Sequence, residues 1–461
     1  MKSIVVAGGG VAGLSIAYAI RKRDPGAKVT VLEQRSRPGG NIRSEVVDGY
    51  TCEWGPDGFL DNVPETLALV KDLGIEGALR PSMITARRRY IFRRGRLHEV
   101  PASPLTFLTT GLLSFPGKLR VFAEPFAGKR PSVDETIHDF AARRIGGEAA
   151  AVMVDSMVSG IFAGNARTLS LRACFPTMWQ LETDYGSLVR ALIATRNRRT
   201  RNDAAGAPAG RLTSFDGGME DLVRALSHAL GSSLRTSARV TSIRRRPSGV
   251  NGPFSIATSA GALEADAVIL TGPASESAEI IRPFDAALAS LLLEIPTAPL
   301  AVVCLGYDQA VIAGERGPLD GFGFLVPRSE NIRLLGALWE TSIYPKRAPE
   351  GKALIRAMIG GALDHGAVQL EDDELVGAVR ADLRTTMGLE AGPEFVRIIR
   401  HPRGIPQYDV GHRDRLQQIE ALLESRPGLF LAGNSYRGVS INSCIAEAGP
   451  IAERALAYTK L

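Results

Sequence analysis

Gly8-Gly9-Gly10-Val11-Ala12-Gly13 forms a GxGxxG pattern directly after the apolar run Ser3 to Ala7 and at the opening of the helix-like LSIAYAI. Glycines at this spacing bind phosphate. The first permits a tight turn out of a strand, the second lets the backbone approach a pyrophosphate, and the third lets helix and strand pack closely. Gly8, Gly10 and Gly13 take these three places, with Val11 and Ala12 opening the helix. Free N–H groups and the positive dipole end of that helix then favour the anion. A second apolar run, Val29 to Leu32, ends at Glu33, with Gln34 next. A carboxylate about 20 residues past the last glycine accepts both ribose hydroxyls and repels a 2′-phosphate. A lone GxGxxG says little, but strand, helix and acid together predict a dinucleotide site.

The remainder of the chain favours FAD over a nicotinamide. Arg37-Pro38-Gly39-Gly40 supplies a glycine loop where an extended dinucleotide would pass, and Gly433 ends the last apolar strand before a helix near Ile441. That second helix N-terminus suits the negative charge that builds on the N1–C2=O edge of a reduced flavin. Val439, Ser440 and Ile441 are the candidates for flavin contact, and Val240 for contact with the adenine or its ribose. No second GxGxxG follows a strand, so electrons are expected to leave for O2 or a quinone. Cys52, Cys174, Cys304 and Cys444 contain no CxxC, which argues against zinc and a disulfide framework and for a reducing compartment. No metal is expected, and no Ser/His/Asp set or carboxylate pair calls for hydrolysis.

These residues need a scaffold, and 461 residues allow about three domain equivalents. The net charge of +6 is too small to indicate nucleic acid, and its local clusters fit an acidic ligand or an anionic surface better. No signal peptide is expected ahead of the first strand, and no uncharged apolar run reaches the roughly 18 residues of a membrane span. Helices are expected around Val63–Leu73, after the glycine turn of TSFDGGMEDLVRALSHALG, and over Glu371–Met387. A hairpin is expected over RRRYIFRRGRLHEV, a mostly helical region from Pro104 to Leu192, and a loop over Arg196–Gly210. The fold class is α/β, α+β overall. A Rossmann-like FAD-binding domain (1–80, 211–280, 415–461) interleaves with a mixed-sheet substrate domain (81–103, 281–414) and a helical insertion (104–210).

GPDGFLDN, RRYIFRRGRLHEVPASP, SGIFAGNARTLSLRACFP, TSFDGGMEDLV, GFGFLVP, GIPQYDVGH and LAGNSYRGVSIN occur in this order. With them the chain resembles the oxygen-dependent protoporphyrinogen oxidase family, within the flavin amine oxidase and phytoene desaturase superfamily, nearly end to end. The resemblance implies oxidation of a porphyrinogen in two-electron steps of heme biosynthesis, with hydride passing from a meso carbon to flavin N5 and O2 giving hydrogen peroxide. It places Gly55 and Pro56 beside the cofactor and Arg89 on a substrate propionate. Gly160 would face the tetrapyrrole, and Phe322, Gly323, Leu325, Leu338 and Met358 would line an apolar cavity. An alternating strand would set Phe322 and Phe324 on one face, Gly323 and Leu325 on the other. His412 stands where some relatives carry Trp, Ser443 where many carry Asp, and Asp57 at a variable position with no role. The insertion, through Pro104–Phe126 with Lys118 and Arg120, is expected on a membrane surface. Partners are then a porphyrinogen, O2, the next heme-pathway enzyme, a peripheral membrane surface and a second copy in a homodimer, with the protein cytoplasmic or on the inner face of the membrane. Coproporphyrinogen III, another superfamily activity such as amine oxidation or carotenoid desaturation, and a non-catalytic FAD scaffold remain as alternatives. Cys444, past the helix start, is a poor flavin link.

Overall fold

The computed structural model describes residues 3–128, 134–195, 210–245 and 254–460. The expected loop Arg196–Gly210 lies outside the described residues except for Gly210. Short apolar runs that are buried on both faces make parallel strands. Leu234–Arg235, Lys28–Leu32, Ser3–Ala7, Ala267–Leu270 and Leu429–Leu431 lie in that order in one parallel sheet. Ile4 and Val6 point to one side, where Val11–Arg23, Glu220–Leu230 and Ile441–Lys460 pack. Val5 and Ala7 point to the other, against the antiparallel strands Val240–Arg245, Phe254–Thr258 and Gly261–Ala265 and the helix Ala274–Ile281. Strands from the start, middle and end of the chain thus share one sheet.

A seven-stranded mixed sheet runs Phe395–Pro406, Thr297–Asp308, Lys352–Gly360, Leu334–Trp339, Gly323–Leu325, Tyr90–Arg93, Arg96–Glu99. The Tyr90–Arg93/Arg96–Glu99 hairpin turns through Arg94 and Gly95, both at positive φ. That is the backbone twist two-residue hairpins need. One sheet face buries Ala301, Val303, Leu305, Ala337, Ile355 and Ala357 against the helix Asp372–Met387. The opposite face carries Leu300, Val302, Cys304 and Leu354 onto Tyr50 and Cys52, which belong to the small sheet Ser44–Val47/Tyr50–Glu53. Register aligns Gly323, Leu338, Arg356 and Cys304 in one row across this second face, and Leu325, Gly336, Met358 and Val302 in the next.

Phe322 departs from the expected pattern. Phe324 is buried in the first face, but Phe322 packs with Leu338, Ala86 and Tyr344 on the other side. The strand begins only at Gly323, and Gly321 and Gly323 have φ of 142° and 126°. A residue between two such glycines is released from the strict alternation of a pleat.

Among the helices between Pro104 and Thr195, Asp155–Phe162 packs on the strands Gly323–Leu325 and Leu334–Trp339. Gly147–Ala149, Ala150–Val154 and Asp155–Phe162 are consecutive helical segments with one π-helical turn in the middle. Such a turn re-aims the residues beyond it, here Gly160. Leu105, Leu108, Phe115, Leu119, Phe122 and Phe126 are exposed. Lys118 and Arg120 are not free charges beside them. Lys118 donates to the Leu108 carbonyl at 2.7 Å, and Arg120 to the carbonyls of Arg143 and Arg144, closing the helix Ile137–Ile145. Among the described residues no helix is long and apolar enough to cross a membrane.

A Cβ on Gly13 would lie 2.0 Å from the Gly8 carbonyl oxygen, whereas one on Gly314 would meet nothing within 4 Å. Gly13→Ala must therefore push the helix off the strand, with an expected loss of about 1–3 kcal/mol in urea unfolding. Gly314→Ala, at an exposed position in the helix Gln309–Arg316, should gain about 0.5–1 kcal/mol. Equal effects of the two changes would refute this reading of the turn.

Candidate active site

The glycine turn has one open side. Cβ atoms on Gly8, Gly9 and Gly13 would all fall within 3 Å of protein atoms, but one on Gly10 would meet nothing within 4 Å. Gly10 caps the helix Val11–Arg23 without a side-chain hydrogen bond, so its first N–H groups face that open side. Glu33 is buried at the end of its strand and accepts the N–H groups of Gly9 and Arg35, both at 2.8 Å. Each carboxylate oxygen keeps a lone pair for a hydroxyl. Gln34 is exposed and donates to Glu276 at 3.3 Å.

Three further segments close on the turn. Gly39 donates to the Gly9 carbonyl at 2.7 Å, and a Cβ on Gly40 would lie 3.4 Å from the Gly10 Cα. The Thr271 hydroxyl bonds the carbonyls of Ala7 and Gly8 at 3.1 Å, and Gly433, at φ 103°, lies against the Thr271 carbonyl. Arg37 is spent on the loop itself, donating to the carbonyls of Pro38, Gly40 and Ile42, and burial lowers its pKa. Val240 is buried beside Leu32 and Ala7, just beyond Ala238, which donates to the Glu33 carbonyl. At the far end Ser440 caps Ile441–Lys460 by accepting from Ser443 N–H at 3.0 Å, Ile441 is in the core, and Val439 packs near Phe162. An open N-terminus, a buried acid and glycines that keep side chains away make a cradle that fits the pyrophosphate and ribose of a dinucleotide.

The substrate candidates gather on the second face of the seven-stranded sheet. Leu325 is wedged between two backbones: a Cβ on Gly160 would lie 2.6 Å from its Cδ2, and one on Gly336 3.0 Å from the same atom. Gly160 thus makes room for Leu325 inside a helix rather than ending one. Gly323 meets the Ala337 carbonyl, and Met358 lies in register with Gly336. The Arg89 guanidinium sits 5.1 Å from the Phe322 ring centre. Arg89 is exposed to solvent, yet the surrounding protein lowers its pKa by desolvation alone, with no carboxylate contributing. Its neighbours are engaged: Arg88 pairs with Glu99 and Asp320, and Arg93 with Glu148.

Two groups escape a reading of the sequence. The first joins the two halves. Arg356 pairs with Asp57 at 2.5 Å, donates to the Gly55 carbonyl and lies 3.6 Å from Glu340, while Arg347 pairs with Glu53 at 3.0 Å. All five side chains are buried, and breaking a buried pair of this kind typically costs about 3–5 kcal/mol. Burial pushes Glu53 up to about 7, against the pull of Arg347. The signal was an arginine inside the apolar strand ALIRAMIGG. The second is Tyr408 of GIPQYDVGH. Its hydroxyl bonds the Asn434 carbonyl and accepts the Gly438 N–H at 2.8 Å, tying down the loop before the closing helix. His412 neither faces solvent nor merely fills space. It stacks on Tyr408 at 4.2 Å, bonds the Tyr436 carbonyl, and burial lowers its pKa. Pro56, next to Asp57 in the chain, is exposed, and Gly55 packs on the Asn41 carbonyl.

Gly10→Ala should separate binding from folding. The added methyl enters open space, so the melting temperature should hold while FAD retained on gel filtration falls more than about tenfold. Full FAD content would show that the cofactor does not approach Gly10.

The comparisons with known proteins agree with this geometry. Residues 11–456 match the flavin containing amine oxidoreductase family. Coproporphyrinogen III oxidase of Bacillus subtilis is 30% identical, covering 99% of this chain and 98% of that protein. Protoporphyrinogen oxidase of Homo sapiens is 34% identical, over 96% of each. A crystal structure from Exiguobacterium sp. 255-15, provisionally named a protoporphyrinogen oxidase, superposes with a TM-score of 0.85 at 27% identity, over 100% of this chain and 99% of that one. The chain belongs to the flavin-containing amine oxidoreductase family, and is an oxidoreductase with FAD as its cofactor.

Proposed function

We propose that the protein oxidises protoporphyrinogen IX to protoporphyrin IX. The observation that carries this reading is Arg89, a guanidinium with no acidic partner among the described residues, set over Phe322 at the edge of an apolar wall. A cation left without a carboxylate beside apolar surface is suited to a greasy macrocycle with a carboxylate at its rim. Arg89 holds a propionate, and Phe322, Leu325, Leu338 and Met358 exclude water from the macrocycle. Gly160 and Gly323 let backbones approach where side chains would intrude. FAD, when bound, would supply the two-electron acceptor for hydride from a meso carbon, with O2 as the terminal oxidant that yields hydrogen peroxide. Pyrrole N–H protons leave by tautomerisation, so no side-chain base is required. The roles given to Gly8, Gly10, Gly13, Glu33, Gly39, Gly40 and Gly433 rest on their convergence around the open helix end. The division into FAD-binding, substrate and helical parts follows the two large sheets and the helices 104–195.

Coproporphyrinogen III is the second reading. Arg87 stands two residues before Arg89, exposed and with no acidic partner among the described residues, and a substrate with more carboxylates can use it. The Bacillus subtilis relative bears that substrate's name. Anaerobic mixing of the FAD-loaded protein with each porphyrinogen decides between them, since the true substrate bleaches the flavin absorbance. Bleaching by neither rejects both. Arg89→Glu should raise KM more than about tenfold with FAD content unchanged, and unchanged kinetics would remove Arg89 from the site.

The exposed Leu105, Phe115, Leu119, Phe122 and Phe126 support peripheral attachment to a lipid surface. With Lys118 and Arg120 engaged by carbonyls, apolar insertion carries this attachment. Phe115→Ser with Phe126→Ser should cut cosedimentation with vesicles severalfold, and equal sedimentation would dismiss the patch.

A further inference from the structure

The junction cluster holds three carboxyls, Glu53, Asp57 and Glu340, against two guanidiniums, Arg347 and Arg356. Glu340 is 1% exposed, and neither of its oxygens accepts a hydrogen bond from a donor among the described residues. It lies 3.6 Å from the same Arg356 nitrogen that Asp57 binds at 2.5 Å, so the two carboxyls crowd one donor. Two carboxylates at such a site repel each other, but a carboxylate and a carboxylic acid can share a proton there. The other groups facing this cluster are Tyr344, Cys304 and His401, none of which supplies the missing positive charge: burial raises the pKa of Tyr344, the contact with Cys52 together with burial raises that of Cys304, and burial lowers that of the imidazole. One proton on Glu340 balances the charges and gives its oxygens a partner.

We propose that Arg356 is a positioning residue for the flavin, clamping the Gly55 carbonyl from the substrate sheet, and that Glu340 keeps the clamp closed by holding a proton shared with Asp57. Arg356 reaches Gly55 with one nitrogen and Asp57 with the other. When Glu340 ionises it competes with Asp57 and Gly55 for the same guanidinium, so the clamp loosens on the alkaline side. This rests on the FAD site described above but not on the identity of the porphyrinogen. The sign for stability agrees. The folded chain keeps a proton that the unfolded chain releases in the ordinary carboxylate range, so stability falls as pH rises from that range toward the folded value.

The test measures release of FAD, by the fluorescence of free flavin, against pH in the loaded protein. In the unaltered chain release should rise severalfold on the alkaline side, and in Glu340→Gln, which stays neutral, this rise should disappear. Infrared difference spectra should show a neutral carboxylic acid band that Glu340→Gln lacks. Asp57→Asn leaves Arg356 unpaired and could unfold the chain, so Asp57→Asn is combined with Arg356→Met, which removes both charges. That double variant should keep its far-ultraviolet dichroism while releasing FAD at least tenfold faster at every pH. Parallel pH profiles for the unaltered chain and Glu340→Gln, or normal FAD retention in the folded double variant, would overturn the proposal. Failure of every porphyrinogen to bleach the flavin would refute the proposed substrate and leave this clamp standing.

Discussion

The contact on which the rest depends is the approach of the first helix to the first strand. No Cβ fits between Gly13 and the Gly8 carbonyl, and none fits between Gly8 and Thr271 without displacing its hydroxyl. Bare backbone on both sides of the turn lets Gly9, one residue before the helix cap, donate to the Glu33 carboxylate and accept from Gly39. A helix end needs partners for its free N–H groups, and this one has no capping side chain. A pyrophosphate supplies what the chain withholds.

Around that turn the chain is threaded back and forth. Strands from residues 3–32, 234–235, 267–270 and 429–431 complete one parallel sheet, while the sheet of 297–406 takes its outer hairpin from residues 90–99. Neither sheet can form from a continuous stretch. Arg356 and Arg347 meet Asp57 and Glu53 beside the small sheet Ser44–Val47/Tyr50–Glu53, and buried charges there demand exact partners. Apolar surfaces alone would tolerate a slide between the halves, but a guanidinium shared between a carboxylate and a carbonyl does not.

The substrate wall depends on absence as much as on side chains. Gly160, Gly323 and Gly336 let helix and strands close around Leu325 and Leu338. The same looseness at Gly321 and Gly323 turns Phe322 away from Phe324 and under Arg89. A local break in the pleat thereby brings a cation and an apolar wall together.

The nucleotide turn was legible in the residues because everything it requires is local: glycines at fixed offsets, a strand before, a helix after and an acid at the next strand end. The parallel strands were legible for a similar reason, since burial on both faces writes itself as unbroken apolar runs. Arg89 could be named from resemblance, but its freedom among five nearby arginines could not, since that depends on where Glu99, Asp320 and Glu148 come to lie. Arg120 likewise read as a surface charge until the Arg143 and Arg144 carbonyls claimed it. Asp57 and Arg356 are 299 residues apart, and no periodicity links them. Propensity and turn chemistry act over a few residues and are carried by the sequence itself. The partner of a charge, and the face a side chain takes beside a glycine, are settled only when distant segments exclude water from between them.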